Sequence, residues 1–188
     1  MERLVEQLLF LARGDNDSQP VKMEVLDLTD LAGEVLREEE MICPERTFLP
    51  RWGEDPVSIY ADPGLIKQLL RILMDNSLKY SPEEGKIYLR VIQVEDRVRL
   101  TVQDEGMGIP PESIPHIFDR FYRTDQSRDR KTGGTGLGLS IAKWIVERHG
   151  GWFEVASRLN AGTRITAVLP AALTGSDRKD DHNGGKSL

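Results

Sequence analysis

Residues 86–104 constrain the fold of this chain more than any other stretch. The segments KIYLRVIQV and RVRLTVQD set apolar side chains at every second position on either side of a tight Glu95-Asp96 connection. Successive strand residues point to opposite faces, so both segments bury one face and leave the other in water, which is the pattern of an antiparallel hairpin. Residues 152–157 and 163–169 repeat the alternation around Asn160-Ala161-Gly162, a second hairpin signal. A sheet that is apolar on one side only needs a covering layer.

Helical periodicity supplies that layer. Residues 30–42 and 139–149 read as helices, the second stopping at Gly150-Gly151. Between residues 62 and 80, Asp62 is placed as an N-cap, Pro63 as the first helical residue, and Leu65, Ile66, Leu69, Leu70 and Leu73 as one buried stripe. Short strands are expected over 21–28, 47–52 and 57–61, the last two flanking the turn Gly53-Glu54-Asp55-Pro56. Helices and strands without regular βαβ alternation predict an α+β fold, a two-layer α/β sandwich whose mixed, mostly antiparallel sheet is covered on one face by helices.

One such core fits residues 21–172, given 39% hydrophobic and 30% charged residues in 188. Residues 173–188 are nearly devoid of apolar side chains and are expected to be a disordered tail. Residues 1–14 carry Leu4, Leu8 and Leu11 beside Val5, Leu9 and Ala12, an apolar stripe with no evident partner, expected to be the end of a longer helix joined through a linker at 15–20. A net charge of −6 argues against nucleic acid as a partner, and Glu38-Glu39-Glu40 reads as a solvated helix face. Cys43 stands alone, which excludes an internal disulfide, favours a packing role and suits a reducing, cytoplasmic setting. Nothing approaches the roughly 18 consecutive apolar residues of a membrane span, so no membrane contact is expected of residues 1–188.

Four segments carry chemistry. Asn76, Lys79 and Tyr80 share one face at the polar end of helix 62–80; a carboxamide oxygen suits Mg²⁺, an ammonium suits phosphate oxygens, and the ring can lie against a base. Asp104 closes a strand and is followed by Gly106 and Gly108, a carboxylate able to accept from an exocyclic amine beside backbone that can approach a flat ligand closely. Gly133-Gly134-Thr135-Gly136-Leu137-Gly138-Leu139 opens a helix, where free N–H groups and the helix dipole favour phosphate; it is neither a Walker loop nor a dinucleotide fingerprint. Residues 116–131 join the aromatics Phe118, Phe121 and Tyr122 to Arg120, Arg123, Arg128, Arg130 and Lys131, the make-up of a lid over a polyphosphate. Alone, these segments also read as a polar helix end, an Asp-Gly turn, a glycine hinge and a solvated loop.

In their order and wording, DNSLKYSP, DEGMGIP, IFDRFYR and GGTGLGLSIAK resemble the N, G1, F and G2 boxes of the histidine-kinase ATP-binding domain, over about residues 25–170. The resemblance implies the Bergerat ATP-binding fold, with ATP and Mg²⁺ as cofactors. It implies that Asn76 binds the Mg²⁺ and that Lys79 and Arg123 contact phosphate oxygens, these three being the catalytic set. Asp104 would read the adenine amino group, Tyr80 would line the base pocket, and Gly136, Leu137 and Gly138 would offer N–H groups to the phosphates. The motifs extend the nucleotide-binding set to Gly106, Gly108, Ile109, Arg120, Tyr122, Thr135 and Leu139, with Phe118 and Phe121 anchoring the lid.

Two features depart from that family. Four residues before Asn76, where a second asparagine is usual, stands Ile72; related gyrase-type ATPases carry there a glutamate that activates water, which isoleucine cannot do, so phosphotransfer fits better than hydrolysis. The phosphorylated histidine of the family sits in a His-Glu or His-Asp context, absent around His116, His149 and His182. His149 is expected at a helix end, suiting the dipole when protonated. The implied partners are a dimerisation domain supplying that histidine, whose last helix residues 1–14 resemble, and a response regulator, with the chain the cytoplasmic part of a membrane-anchored bacterial sensor. The same fold also serves anti-sigma serine kinases, and a nucleotide-gated module without catalysis is a further alternative.

Overall fold

A computed structural model describes residues 2–16, 18–124 and 134–172. The main sheet has five strands: β2 (Thr47–Arg51), β4 (Lys86–Val94), β5 (Arg97–Asp104), β6 (Trp152–Ser157) and β7 (Thr163–Pro170). They lie side by side as β2-β4-β5-β7-β6, with β2 parallel to β4 and every other pairing antiparallel. β1 (Glu24–Asp27) and β3 (Ser58–Ala61) form a separate antiparallel ribbon. The strands on either side of the 53–56 turn therefore do not pair with each other. Phe48 aligns with Ile87 and Ile59 with Leu26, so long-range apolar register overrides the local turn signal.

Helices α2 (Leu28–Ile42), α3 (Pro63–Tyr80) and α4 (Gly138–Arg148) cover one sheet face, and α1 (Glu2–Asp15) leans on α4. The expected cap of α3 is in place, with the Leu65 N–H donating to the Asp62 carboxylate at 3.0 Å and Pro63 in the first turn. Its stripe of Ile66, Leu69, Leu70, Leu73 and Met74 is buried against Ile87, Leu89, Leu100 and Val102 of the sheet; each such side chain contributes about 1.5–3 kcal/mol by leaving water. α2 begins two residues earlier than its periodicity predicts, because Asp27 caps it by accepting from Thr29 and Asp30 N–H at 2.8 and 3.2 Å. On that helix Glu38 is not simply solvated, since it pairs with Lys67 at 2.9 Å and Arg71 at 2.7 Å across to α3.

The apolar stripe of α1 splits. Leu4, Phe10 and Leu11 pack onto the domain, with Phe10 edge-on to Trp144 at 5.1 Å, while Val5, Leu8 and Leu9 stay exposed. Part of the stripe thus has a partner within this chain, and the helix continues through Asp15 into the expected linker.

His149 ends α4 as expected, but its ring does not serve the helix dipole. It is buried, its Nδ1 lies 2.7 Å from the Ile145 carbonyl, and its Nε2 accepts the Asp62 N–H at 3.0 Å. One ring nitrogen must donate and the other accept, which assigns a neutral imidazole with its proton on Nδ1. The ring therefore stitches the end of α4 to the cap of α3, leaving the end of α3 and the start of α4 to meet at the opposite edge of the sheet.

Candidate nucleotide site

An open cavity lies at that edge. Its walls come from the last turns of α3 (Ile72, Asp75, Asn76, Ser77, Lys79, Tyr80), Asp104 at the end of β5, the following turn (Met107, Gly108, Ile109), β7 (Thr163, Ile165), Ile117 with Tyr122, Arg123 and Thr124, and Gly134, Thr135 and Gly136 with Gly138 and Leu139 at the start of α4. Four sequence-distant segments expected to share a ligand thus share a cavity.

Asp104 defines one end. It is buried at 7% exposure, and its carboxylate accepts the Gly106 N–H at 2.8 Å, the Ser77 hydroxyl at 3.2 Å and the Thr163 N–H at 3.3 Å. Burial pushes its carboxyl above the ordinary aspartate value, while these three donors pull the other way. The residues around it are fixed by backbone contacts. Met107 N–H donates to the Tyr80 carbonyl at 3.1 Å, tying the turn to α3. Gly108 sits at φ +71°, and a Cβ there would collide with the Arg158 carbonyl, so only glycine fits that left-handed, close-packed position.

The other end is polar and joins the last turn of α3 and the start of α4 to two loops. Lys79 lies 3.7 Å from Asp75, and Arg123 and Tyr122 face the same cavity. Asn76 Nδ2 donates to the Ile72 carbonyl at 3.1 Å, which fixes the amide and leaves Oδ1 as its acceptor toward the cavity. No side chain caps the first turn of α4, so its N–H groups remain to receive an anion. Leu137 N–H is an exception, donating to Thr135 Oγ1 at 3.3 Å. Ile72 Cγ2 would stand 3.5 Å from a Cβ at Gly138, placing an apolar wall where a water-activating carboxylate would stand in a hydrolase.

Four expected site residues do not line the cavity. Leu137 is fully buried in the core. Gly106 serves by bonding Asp104 and by accepting the Gly162 N–H at 3.0 Å. Phe118 stacks on Phe153 at 4.8 Å. Arg120 turns away to grip Asp15 of α1 through both guanidinium nitrogens, at 2.9 and 2.6 Å. Phe121 is not an anchor, being 58% exposed at φ +63° with its N–H donating to the Gly136 carbonyl at 2.9 Å; buried Ile117 fills that role. Gly133, Arg128, Arg130 and Lys131, like the tail, lie outside the described residues.

The structure adds participants that sequence reasoning passes over. Ser77 and Thr163 complete the shell of Asp104, and Gln7 of α1 reaches the cavity wall, accepting the Thr135 hydroxyl at 2.7 Å. Ser77 is signalled only by its place beside Asn76; Thr163 and Gln7 depend on pairings across 59 and 128 residues.

The profile of the histidine kinase-, DNA gyrase B-, and HSP90-like ATPases matches residues 61–173, more than half of the chain. The chain belongs to this ATPase family. Within it, the sensor histidine kinase YkoH of Bacillus subtilis is 43% identical over 88% of this chain, which spans 36% of YkoH. A mycobacterial sensor histidine kinase, MprB, has a solved structure with TM-score 0.72 and 29% identity, covering 79% of this chain and 98% of that one. Full-length ShkA in complex with AMPPNP gives TM-score 0.78 at 27% identity over 92% of this chain and 36% of ShkA. The chain is thus the ATP-binding catalytic domain found in histidine kinases, and spans about a third of the length of YkoH. No helix among the described residues is long and apolar enough to cross a membrane.

Proposed function

We propose that the cavity binds Mg-ATP with adenine at the Asp104 end and the phosphates between Lys79, Arg123 and the start of α4. The buried Asp104 carboxylate carries this reading. Its three donors orient it and offset part of the cost of burying its charge, so it is set to accept a hydrogen bond from the adenine amino group, and a site built around such a bond rejects bases lacking the donor. Tyr80, Met107 and Ile109 supply flanking surface for the ring.

At the polyphosphate end, Lys79 and Arg123 offset charge and the α4 N–H groups orient oxygens, which is positioning and electrostatic work rather than covalent chemistry. The donor set fits Mg²⁺. Among the described residues no group of three or more His, Cys, Asp or Glu could hold a metal alone, and Mg²⁺ commonly takes one or two protein oxygens with phosphates and waters; Asn76 would supply that oxygen. Bound there, the ion would neutralise phosphate charge. Ile72, in place of an activating group, cannot activate water, which favours transfer over hydrolysis.

The acceptor in this proposal is a histidine on a separate helical hairpin, and the product serves a response regulator. His149 cannot be that acceptor, because it is buried with both ring nitrogens engaged. The test is calorimetric titration of the chain with AMPPNP and Mg²⁺, beside Asp104→Asn. We expect saturable binding that Asp104→Asn weakens at least about tenfold, or ~1.4 kcal/mol; affinity indifferent to that substitution sinks the proposal. Incubation with labelled ATP and a separately made dimerisation hairpin then tests transfer, acid-labile label on the hairpin being the expected result.

A further inference from the structure

Helices cover one face of the main sheet, and the other face concentrates positive charge. Register and alternation turn Arg51, Lys86, Arg90, Arg97, Arg99 and Arg164 outward, against two carboxylates, Glu154 on β6 and Glu105 just past β5, which accepts the hydroxyl of the outward Tyr88 at 2.9 Å. The chain as a whole is at −6, so this face runs against its overall balance.

The face is ordered rather than a fringe of loose side chains. Arg99 grips both oxygens of Glu154, Arg97 lies over the Trp152 ring at 5.2 Å, and the Thr101 and Thr166 hydroxyls meet at 2.9 Å. Val168, cross-strand neighbour of both Arg99 and Trp152, is 1% exposed although it stands outside the main core. The sheet thus has a small packed floor on its outer side. Beside it, Arg51 and Arg90 are directly in register across β2 and β4, both exposed, and neither has an ion-pair partner among the described residues. Like charges directly opposite each other destabilise a sheet. An external anion would turn that cost into affinity.

We infer that this outer face docks a folded protein surface rich in carboxylates, with Arg51 and Arg90 as its anchoring forks. A planar guanidinium takes a carboxylate with two bonds, and Arg and Trp are the residue types that enrich protein interfaces. An anionic bilayer fits less well. The apolar side chains that would enter it, Val94 and Trp152, lie beside Glu95 and Asp96 at the hairpin tip and beside Glu154; anionic lipid would repel these, whereas a protein partner can match both signs.

The experiment adds poly-L-glutamate, phosphatidylserine-rich vesicles or nothing to the isotopically labelled chain and follows backbone amide shifts, for the native sequence and for Arg51→Gln/Arg90→Gln. Poly-L-glutamate is expected to shift β2, β4 and β5, and the double variant to bind it at least about tenfold more weakly, with unchanged Mg-ATP affinity and a Tm that holds or rises as the like-charge pair is removed. Shifts confined to the Lys79 and Arg123 cavity, undiminished binding by the double variant, or a lowered Tm overturn the inference. Vesicle binding through these arginines without poly-L-glutamate binding assigns the face to lipid and overturns it equally. Failure of nucleotide binding removes only the Mg-ATP control and leaves the shift, poly-L-glutamate, vesicle and Tm arms readable, since the inference does not rest on that site.

Discussion

Two aspartates, one lining the candidate cavity and one on the helix that docks beside it, are pushed in opposite directions by their surroundings. Asp104 is buried where β5 meets β7, and desolvation raises its carboxyl. Asp15 sits in water at the end of α1, where the hydrogen bonds from Arg120 lower its carboxyl. The Asp104 end is part of the sheet and held by backbone, whereas residues 120 and 135 near the other end are held by side chains reaching from a neighbouring helix. This difference predicts where affinity and where adjustability reside. Recognition belongs to the rigid end, and placement of the phosphate loops belongs to contacts that can be made and broken.

The largest expected effect tests that rigidity directly. Gly108→Ala forces a left-handed backbone onto alanine and drives its Cβ into the Arg158 carbonyl, so unfolding should become easier by about 2 kcal/mol or more in chemical denaturation. Gly136→Ala is the matched change at the lid end, at φ +72° and 2.8 Å from the Phe121 backbone. There the partner is a loop with an exposed phenylalanine that can shift, and a loss of about 1 kcal/mol is expected. Equal losses would break the distinction between the two ends.

Asp104→Asn comes next and separates function from stability. Burial of a charge that the folded state disfavours means that the contribution of Asp104 to stability is fully present below the ordinary aspartate pKa and is lost as pH rises through its raised value. At neutral pH the neutral, isosteric asparagine should therefore leave the Tm of the nucleotide-free chain unchanged or higher while nucleotide affinity collapses. Over the mildly acidic range the native protein should lose affinity as the carboxylate protonates, and the variant should show no such slope. A variant that unfolds more easily at neutral pH would show that the three hydrogen bonds outweigh desolvation.

The same contrast explains what was legible in the sequence. The hairpin β4–β5 and helix α3 follow from alternation, a cap and a local connection, and the structure places both on their expected residues. The Asp104 end was readable because its key residues fall within or just after those elements. β2 and β3 were seen as strands, yet their partners were not, since pairing with β4 and β1 depends on segments some 30–40 residues away. The helix-end position of His149 is legible, but its acceptor role toward Asp62, 87 residues distant, leaves no local mark. Arg120 was grouped with the nucleotide ligands by motif, and only the docked α1 shows that it points elsewhere. Local periodicity thus reports elements and their caps, while the contacts of Arg120, Phe121 and Thr135 are tertiary.

The smallest effect expected concerns that docked helix. Gln7 accepts from Thr135, Asp15 pairs with Arg120, and Phe10 meets Trp144, so α1 touches the G2 loop, the start of the lid and α4 together. Gln7→Ala deletes one hydrogen bond of about 1 kcal/mol and should speed amide exchange in α1 roughly fivefold. Asp15→Asn should also speed exchange, with an effect that shrinks in high salt because the pair is exposed. The sign with pH is opposite to that at Asp104: the contribution of Asp15 is present above the ordinary aspartate value and fades as pH falls through its lowered one. Neither substitution touches base recognition, so nucleotide affinity should change far less than with Asp104→Asn. If Gln7→Ala or Asp15→Asn weakened nucleotide binding as much as Asp104→Asn does, α1 would have to be counted part of the binding site itself, and the separation of a recognising end from an adjustable one would fail.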